Sequence, residues 1–145
     1  MKAVVQRVKK ASVKVQGTEI SAINKGVLVF LGIEKGDTLE KAKKLAKKIA
    51  QLRIFPSENK EMDLSLERIN GEILVVSQFT LCADLSKGNR PSFVNAEDPE
   101  KAEKIYLEFV NFLKQTGLPV KTGQFRAYME VNLVNDGPVT IVLEV

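Results

Sequence analysis

Two continuous apolar stretches predict buried strands. Residues 26–33 are rich in Val and Leu, and the polar residues 34–37 end the run. Strands that are covered on both faces show such unbroken runs, so we expect this strand at the centre of a sheet. Residues 72–81 form a second extended run, in which the apolar residues 73–76 give way to the alternating residues 77–81. A buried strand is therefore expected to reach the surface after Val76.

Shorter alternating stretches near both ends of the chain predict hairpins. Residues 3–8 are extended and apolar, Lys9-Lys10 is expected to turn, and residues 12–15 alternate before Gly17. Near the other end, residues 128–133 alternate, residues 135–138 are expected to turn, and residues 139–145 return as a strand. Together these patterns predict roughly seven strands.

Apolar residues at helical spacing predict two helices. Asp37 and Glu40 have the spacing of a capping box, and the apolar repeat that follows runs to Leu52. Asp98 followed by Pro99 indicates the start of the second helix, whose apolar face continues toward residue 117. The outer face of the first helix could contact phosphates or could simply be solvated, and solvated basic stripes are common. Its lysines are Lys41, Lys43, Lys44, Lys47 and Lys48.

These elements predict one α/β domain over residues 1–145. The expected architecture is a mixed, mostly antiparallel and barrel-like sheet covered by two helices. Two helices cannot cover a sheet of about seven strands completely. We therefore expect the chain to form a dimer through the sheet.

Composition narrows the possible chemistry. Histidine is absent, which excludes imidazole acid–base chemistry, Ser-His and Cys-His pairs and zinc sites that need His. The 22 Lys and Arg residues against 18 Asp and Glu residues give a net charge of +4, which suits a polyanionic partner without requiring one. The single cysteine, Cys82, cannot form an intrachain disulfide and indicates a reducing cytoplasm. The longest aliphatic and aromatic stretch, residues 27–31, is far below the roughly 20 residues of a membrane span. Polar residues interrupt the first fifteen positions before an apolar signal-peptide core could form, so Met1 is the expected start.

Without imidazole, main-chain N–H groups are the most available means of stabilising a developing negative charge. Residues 77–80 are a candidate for this role. If the strand splays after Val76, the N–H groups of Phe79 and Thr80 can point at a substrate oxygen, and the Gln78 amide and Thr80 hydroxyl add polar contacts. The alternative is a strand edge where Ser and Thr pair across the sheet, which spacing alone favours.

Gly137-Pro138 is a second candidate. Proline cannot donate to a sheet, and the peptide bond before it can be cis, although a trans proline at an edge strand is commoner. Two possible nucleophiles are weak by comparison. Cys82 has no adjacent base or cation that would lower its pKa. Thr80 would need a lysine or a carboxylate to activate its hydroxyl.

Two motifs resemble the signatures of a known family. Ser77-Gln78-Phe79-Thr80-Leu81 and Asn135-Asp136-Gly137-Pro138-Val139-Thr140 are together similar to the two signature motifs of the D-aminoacyl-tRNA deacylases. The similarity extends over nearly the whole chain, including residues 3–8, 52–56 and 87–93. The chain departs from the family at Arg126 and Tyr128, where the family often has glycine and aspartate.

The resemblance implies a cytoplasmic homodimeric enzyme without a metal or other cofactor. Its expected substrate is the ester between a D-amino acid and the 3′-terminal adenosine of tRNA, and also glycine mischarged on alanine tRNA. The expected catalytic residues are Ser77, Gln78, Phe79 and Thr80. A cis Gly137-Pro138 peptide is expected to enter the partner's pocket and to exclude L-amino acids.

The RNA end is expected to contact a further set of residues. Phe125 and Met129 resemble the positions that sandwich the terminal adenine, with ordinary core packing as the alternative. Arg7, Lys87 and Arg90 are candidates for phosphate contact. Two other functions stay open at this point: a non-catalytic RNA-binding module, in which residues 77–81 are a stacking platform, and a dimeric scaffold protein.

Overall fold

The computed structural model describes residues 1–145, which form six strands and two helices. The strands make one mixed sheet in the order β2-β1-β3-β4-β5, with β6 on the other edge of β1. β1 is antiparallel to β2, β3 and β6, whereas β3, β4 and β5 are parallel. This barrel-like α/β fold confirms the predicted class, with six strands in place of seven. The elements are β1 (Lys2–Val15), β2 (Thr18–Ile23), β3 (Gly26–Gly32), α1 (Leu39–Ala50), β4 (Glu72–Ser77), α2 (Pro99–Lys114), β5 (Val120–Thr122) and β6 (Glu130–Glu144).

The core is divided by the sheet. A main cluster of 24 buried residues includes the inner faces of both helices, and alternate residues of β3 and β4 contribute to it. A smaller cluster of seven residues takes the other side chains of the same strands, such as Leu28 and Leu74. Strand side chains alternate between the two faces, so β3 is covered on both. The predicted central position of this strand is confirmed.

The predicted turn at Lys9-Lys10 is wrong. β1 continues through these exposed lysines, and the chain reverses at Gln16 and Gly17, which have φ values of 50° and 77°. The first half of β1 pairs with β3 and the second half with β2, while β6 follows β1 along its other edge. The two lysines therefore lie where β1 changes partners.

The predicted turn at residues 135–138 is also wrong, because β6 runs through it. Gln6 pairs with Thr140 and Val8 pairs with Asn135. Residues 136–139 therefore stand opposite the single residue Arg7, and we call this segment the β6 bulge. Such an insertion interrupts the ladder and accommodates a proline without ending the strand.

Helix capping agrees with the sequence at one helix only. α2 begins at Pro99 after Asp98, as predicted. α1 is capped by Thr38, whose hydroxyl accepts a hydrogen bond from the Lys41 N–H at 3.3 Å. The prediction of Asp37 as the cap is wrong, because its carboxylate has other partners.

The Asp37 carboxylate is buried in a charged cluster. It accepts hydrogen bonds from the Met1 ammonium at 2.8 Å, the Glu34 N–H at 2.7 Å and the Lys41 ammonium at 3.1 Å. Burial alone would raise the pKa of the Asp37 carboxyl, but these hydrogen bonds outweigh it and hold the pKa below its usual range. The cluster ties the start of β1 to the start of α1.

We expect Asp37→Asn to lower the free energy of unfolding at pH 7 by about 3 kcal/mol, because the buried Met1 ammonium loses its nearer carboxylate, at 2.8 Å, and keeps only that of Glu34, at 3.3 Å. A carboxyl with a depressed pKa stabilises the fold above its unfolded pKa of about 3.9, and this contribution is lost as pH falls through the folded pKa. Urea unfolding of both proteins across pH measures the difference, which is expected to shrink below about pH 4. The control is Asp63→Asn, because Asp63 pairs at the surface with the exposed Arg53. Equal losses in the two variants would contradict this account.

Candidate functional site

An open pocket of about 650 Å³ lies where β4 ends. Four segments wall it: the end of β3 with the residues that follow, the end of β4 with the turn that follows, the loop that leads into α2, and the segment that leads into β6. Most of its lining is apolar, and its size is that of a small-molecule site. The pocket contains five of the predicted site residues, which are Ser77, Gln78, Phe79, Phe125 and Met129.

The backbone changes direction at the pocket edge. β4 ends at Ser77, and a 3-10 turn, Phe79–Cys82, follows directly. The Gln78 N–H still donates to the Leu31 carbonyl at 2.8 Å, which is the last link to β3. The first N–H groups of a helical turn have no acceptor within it, and no side chain caps this turn. The N–H groups of Phe79 and Thr80 are therefore available to an external oxygen, as the predicted splay requires.

Gly32 allows the turn to pack against β3. A Cβ atom at this position would lie 2.9 Å from the Leu81 Cβ atom and 3.1 Å from the Gln78 carbonyl oxygen. The turn thus needs a residue without a side chain beneath it. The sequence showed this glycine only as the end of an apolar run, because its contact with the turn is made by the fold.

The side chains of the turn have different surroundings. The Gln78 amide donates a hydrogen bond to the Thr80 hydroxyl, and Thr80 is exposed outside the pocket lining. The Phe79 ring is 60% exposed and meets the Phe93 ring edge-on, with 4.9 Å between the centroids. Cys82 is buried, and burial raises the pKa of its thiol. A buried thiol with a raised pKa is a poor nucleophile.

Phe125 and Met129 both line the pocket and pack against the core. The Phe125 ring lies 5.4 Å from the Tyr106 ring, whose hydroxyl donates to the Val75 carbonyl at 2.9 Å. Met129 packs over Gly123, where a Cβ atom would lie 2.6 Å from the Met129 sulfur. Core packing, one of the two alternatives for this pair, is therefore observed, and the role of the pair in binding adenine stays a prediction. Each side chain is held by the core and presents a face to the pocket.

Gly137 and Pro138 are the exposed residues of the β6 bulge and are not part of the pocket lining. Their peptide bond is cis. The Arg7 side chain is only 11% exposed, and its guanidinium donates to the Asp136 carbonyl at 2.9 Å and to the Ile54 carbonyl. Arg7 therefore supports the bulge from behind, which differs from the solvent-facing position expected of a phosphate contact.

Asn135 closes the base of the bulge. Its amide donates to the Thr140 hydroxyl at 3.0 Å, and its carbonyl oxygen accepts from the Val139 N–H at 3.0 Å. The side chain thus replaces the ladder bonds that the bulge interrupts. Sequence reasoning assigned no role to this residue, and its place in the second motif was the available signal.

Lys87 and Arg90 lie on an exposed loop away from the pocket lining. Main-chain bonds between Asp84 and Ser92, of 2.8 and 2.9 Å, tie the base of this loop. Neither cation forms an ion pair with an acidic group of the chain. On α1, Lys41 is bonded to Asp37, whereas the other four lysines of the stripe are exposed.

Neither helix is long and apolar enough to cross a membrane. The chain brings together no group of three or more Cys, Asp or Glu side chains in a position to hold a metal ion.

Comparison with known proteins gives consistent matches. Residues 4–144 match the family model described as D-Tyr-tRNA(Tyr) deacylase. The D-aminoacyl-tRNA deacylase of Dictyoglomus turgidum is 59% identical over 144 residues, which cover 99% of this chain and 92% of that protein. The D-aminoacyl-tRNA deacylase of Desulfatibacillum aliphaticivorans is 57% identical over 99% of both chains.

Two solved structures share the fold. The c-Myc DNA Unwinding Element Binding Protein superimposes with a TM-score of 0.94 at 48% identity, over 100% of this chain and 99% of that one. A probable eukaryotic D-amino acid tRNA deacylase superimposes with a TM-score of 0.81 at 17% identity, over 99% and 98% of the two chains, which shows similarity of fold.

The fold, the pocket and the matched relatives together define the class of this protein. It is a hydrolase of aminoacyl-tRNA esters with a barrel-like fold of strands and helices. The match covers nearly every residue, and the identity to several relatives exceeds half. The chain belongs to the D-Tyr-tRNA(Tyr) deacylase family.

Proposed function

We propose that this chain hydrolyses the ester bond of D-aminoacyl-tRNA and releases free tRNA and the D-amino acid. One observation carries the proposal: the N–H groups of Phe79, which lines the apolar pocket, and of the adjacent Thr80 have no acceptor in the chain. Membership of the family supports the aminoacyl-tRNA ester as the substrate. The proposal includes a cytoplasmic location and a homodimer as the active form.

The proposed reaction needs no imidazole. Water adds to the carbonyl carbon, the bond to the ribose oxygen breaks, and the proton from water passes to that oxygen. An aminoacyl ester is already activated, and the vicinal 2′-hydroxyl of the terminal ribose can assist the proton transfer. The Phe79 and Thr80 N–H groups hold the carbonyl oxygen as it gains charge, an effect of about 3–4 kcal/mol per donor.

The other predicted catalytic side chains position this turn. Ser77 ends β4, and the Gln78 amide bonds to the Thr80 hydroxyl, so the two side chains fix each other beside the donors. Phe125 and Met129 are proposed to enclose the terminal adenine, since aromatic and thioether groups stack well on bases. Their contacts with the core keep both side chains in place for this role.

Selection by handedness is proposed to come from the partner subunit. Gly137 and Pro138 are exposed and outside the pocket of their own chain, so they can act only on the pocket of a second copy. A wall of backbone placed where an L side chain would project rejects it by steric overlap. Such a wall tolerates any D side chain. Glycine has no side chain to collide, so glycine mischarged on alanine tRNA is also a proposed substrate.

Homodimerisation through the sheet is supported by the surface of β6. Val142 on this strand is 72% exposed, and its cross-strand partner on β1 is Val4. An exposed apolar sheet surface favours contact with a second copy. A contact of this kind would also bring the β6 bulge close to another subunit.

Phosphate contact is proposed for Lys87 and Arg90, which project from a tied loop without ion pairs. The four exposed lysines of α1 offer a second basic surface. Contacts with phosphates make affinity fall with salt while leaving sequence preference weak.

We expect Gly137→Ala to lower the ratio of kcat/KM for D-Tyr-tRNA to that for L-Tyr-tRNA by about tenfold or more, because small misplacements of an active-site group are costly. Gly137 has a φ of 136°, and an added Cβ atom would lie 2.9 Å from the Val139 Cγ2 atom and 3.0 Å from the Arg7 Nη2 atom. The bulge must therefore shift. The matched control is Gly117→Ala, which also has a positive φ, of 83°, but open space around it. An unchanged ratio in folded Gly137→Ala would argue against the proposed wall.

Ester loss from D-Tyr-tRNA, incubated with the purified protein, tests the proposed function. The proposal predicts release of D-tyrosine with many turnovers per enzyme. A non-catalytic RNA-binding module would bind the tRNA without cleaving the ester, and a scaffold protein would do neither. Either of these two results would contradict the proposal.

A further inference from the structure

Two side chains on the rim of the pocket have no partner in the chain. Arg126 and Tyr128 both line the pocket, next to the Phe125 and Met129 side chains. Tyr128 is 90% exposed and makes no contact with another aromatic ring. Arg126 is exposed and forms no ion pair. Neither residue contributes to the reaction described above.

The backbone at Arg126 is unusual for this residue type. A turn closed by the hydrogen bond from the Ala127 N–H to the Gln124 carbonyl, at 3.2 Å, holds Arg126 at a φ of 61°. Glycine adopts this left-handed conformation at no steric cost, and other residues do so rarely. Strained positions of this kind cluster at binding sites, where the side chain they place has a use.

The charged residues of the pocket lining leave Arg126 without an ion pair. Lys35 is a second cation of the pocket lining, while the acidic members of the lining are Glu97 and Asp98. Glu97 is already paired with Lys101 at 2.6 Å. Arg126 is therefore a cation available to a ligand, and a guanidinium binds phosphate strongly.

We infer that Tyr128 and Arg126 bind the nucleotide that precedes the terminal adenosine of the RNA. The Tyr128 ring stacks on the base of this nucleotide, and the Arg126 guanidinium contacts the phosphate that joins it to the adenosine. Phe125 and Met129 are half-buried in the pocket, whereas the neighbouring Arg126 and Tyr128 are exposed at its rim. The nucleotide next to a bound adenosine would therefore lie beside Arg126 and Tyr128. The inference rests on the proposed function, in which the adenine lies between Phe125 and Met129.

Two small substrates test the inference. One is the D-tyrosyl ester of adenosine, and the other is the D-tyrosyl ester of the dinucleotide cytidylyl-adenosine. We expect the wild-type protein to have a KM about tenfold lower for the dinucleotide, since one stacked base and one phosphate contact are added. Tyr128→Ala and Arg126→Gly are each expected to reduce this tenfold ratio of KM values to about two- or threefold. Tyr128→Phe is expected to keep most of the ratio.

A control variant and the oligomeric state distinguish a role in binding the nucleotide from a role in folding or assembly. Leu107→Ala removes another exposed apolar side chain, on α2 and outside the pocket lining, and is expected to keep the full preference. Arg126→Gly places at this positive φ the residue that tolerates it best, so the variant is expected to stay folded, and a thermal melt beside the wild type checks this. If Tyr128→Ala raises both KM values equally or changes the oligomeric state, the residue is structural and the inference is overturned.

The wild-type comparison separates this inference from the proposed function. Equal KM values for the two esters would overturn the inference and leave the proposed function in place. Failure to cleave either ester or D-Tyr-tRNA would overturn both.

Discussion

Replacing the terminal 2′-hydroxyl of D-Tyr-tRNA by hydrogen is expected to abolish hydrolysis, whereas Thr80→Ala is expected to keep substantial activity. The chain has no histidine, Thr80 is exposed outside the pocket lining, and its hydroxyl accepts a hydrogen bond from Gln78. Nothing near Thr80 is arranged to activate it as a nucleophile. The vicinal hydroxyl of the substrate is then the group best placed to assist. Loss of positioned proton transfer costs about 10²- to 10⁴-fold in rate.

Single-turnover release of D-tyrosine measures this effect. The two substrates compared are D-Tyr-tRNA and the same ester on tRNA with a terminal 2′-deoxyadenosine. The control substrate carries hydrogen in place of the 2′-hydroxyl one nucleotide further from the end, and it is expected to react normally. Loss of the Thr80 hydroxyl leaves the main-chain N–H donors in place, so the variant keeps their contribution. A covalent acyl adduct trapped on Thr80, or full activity on the terminal 2′-deoxy substrate, would reverse the assignment.

Elements whose signals are local were predictable from the sequence. The run of Val and Leu between two glycines specifies β3, and its burial on both faces follows from that run. Asp98 followed by Pro99 specifies the start of α2. Each of these two signals lies within a few neighbouring residues. The structure forms both elements where the local pattern predicts them.

Elements whose signals are long-range were not predictable. Lys9-Lys10 looks like a turn, but β6 pairs along the whole of β1 and keeps the strand continuous. Residues 135–138 have the composition of a turn, but Arg7 faces the β6 bulge and holds it within the strand. Asp37 has the spacing of a helix cap, yet its carboxylate accepts a hydrogen bond from the Met1 ammonium, 36 positions earlier.

The candidate site was predictable only in part. The splay at residues 77–80 could be expected from the change from an apolar run to alternation. The walls of the pocket could not be, because they come from the loop before α2 and from the segment before β6. Gly32 and Asn135 were missed for the same reason. Each acts through contacts with residues that the fold brings to it.

The ester of L-tyrosine is expected to resist the enzyme that cleaves its D counterpart. In the proposed dimer the Gly137-Pro138 backbone of one subunit fills the space beside the α-carbon in the pocket of the other. A D side chain points away from this wall, whereas an L side chain overlaps with it. Glycine has no side chain, so the wall does not exclude it. Because repulsion between atoms in contact is steep, exclusion of this kind leaves little intermediate activity.

Rates of hydrolysis of D-Tyr-tRNA, L-Tyr-tRNA and glycyl-tRNA(Ala), measured side by side with one preparation of the purified protein, test this account most directly. It predicts rapid loss of the D-tyrosyl and glycyl esters and loss of the L-tyrosyl ester at the spontaneous rate. Equal enzymatic rates for D- and L-Tyr-tRNA would contradict it.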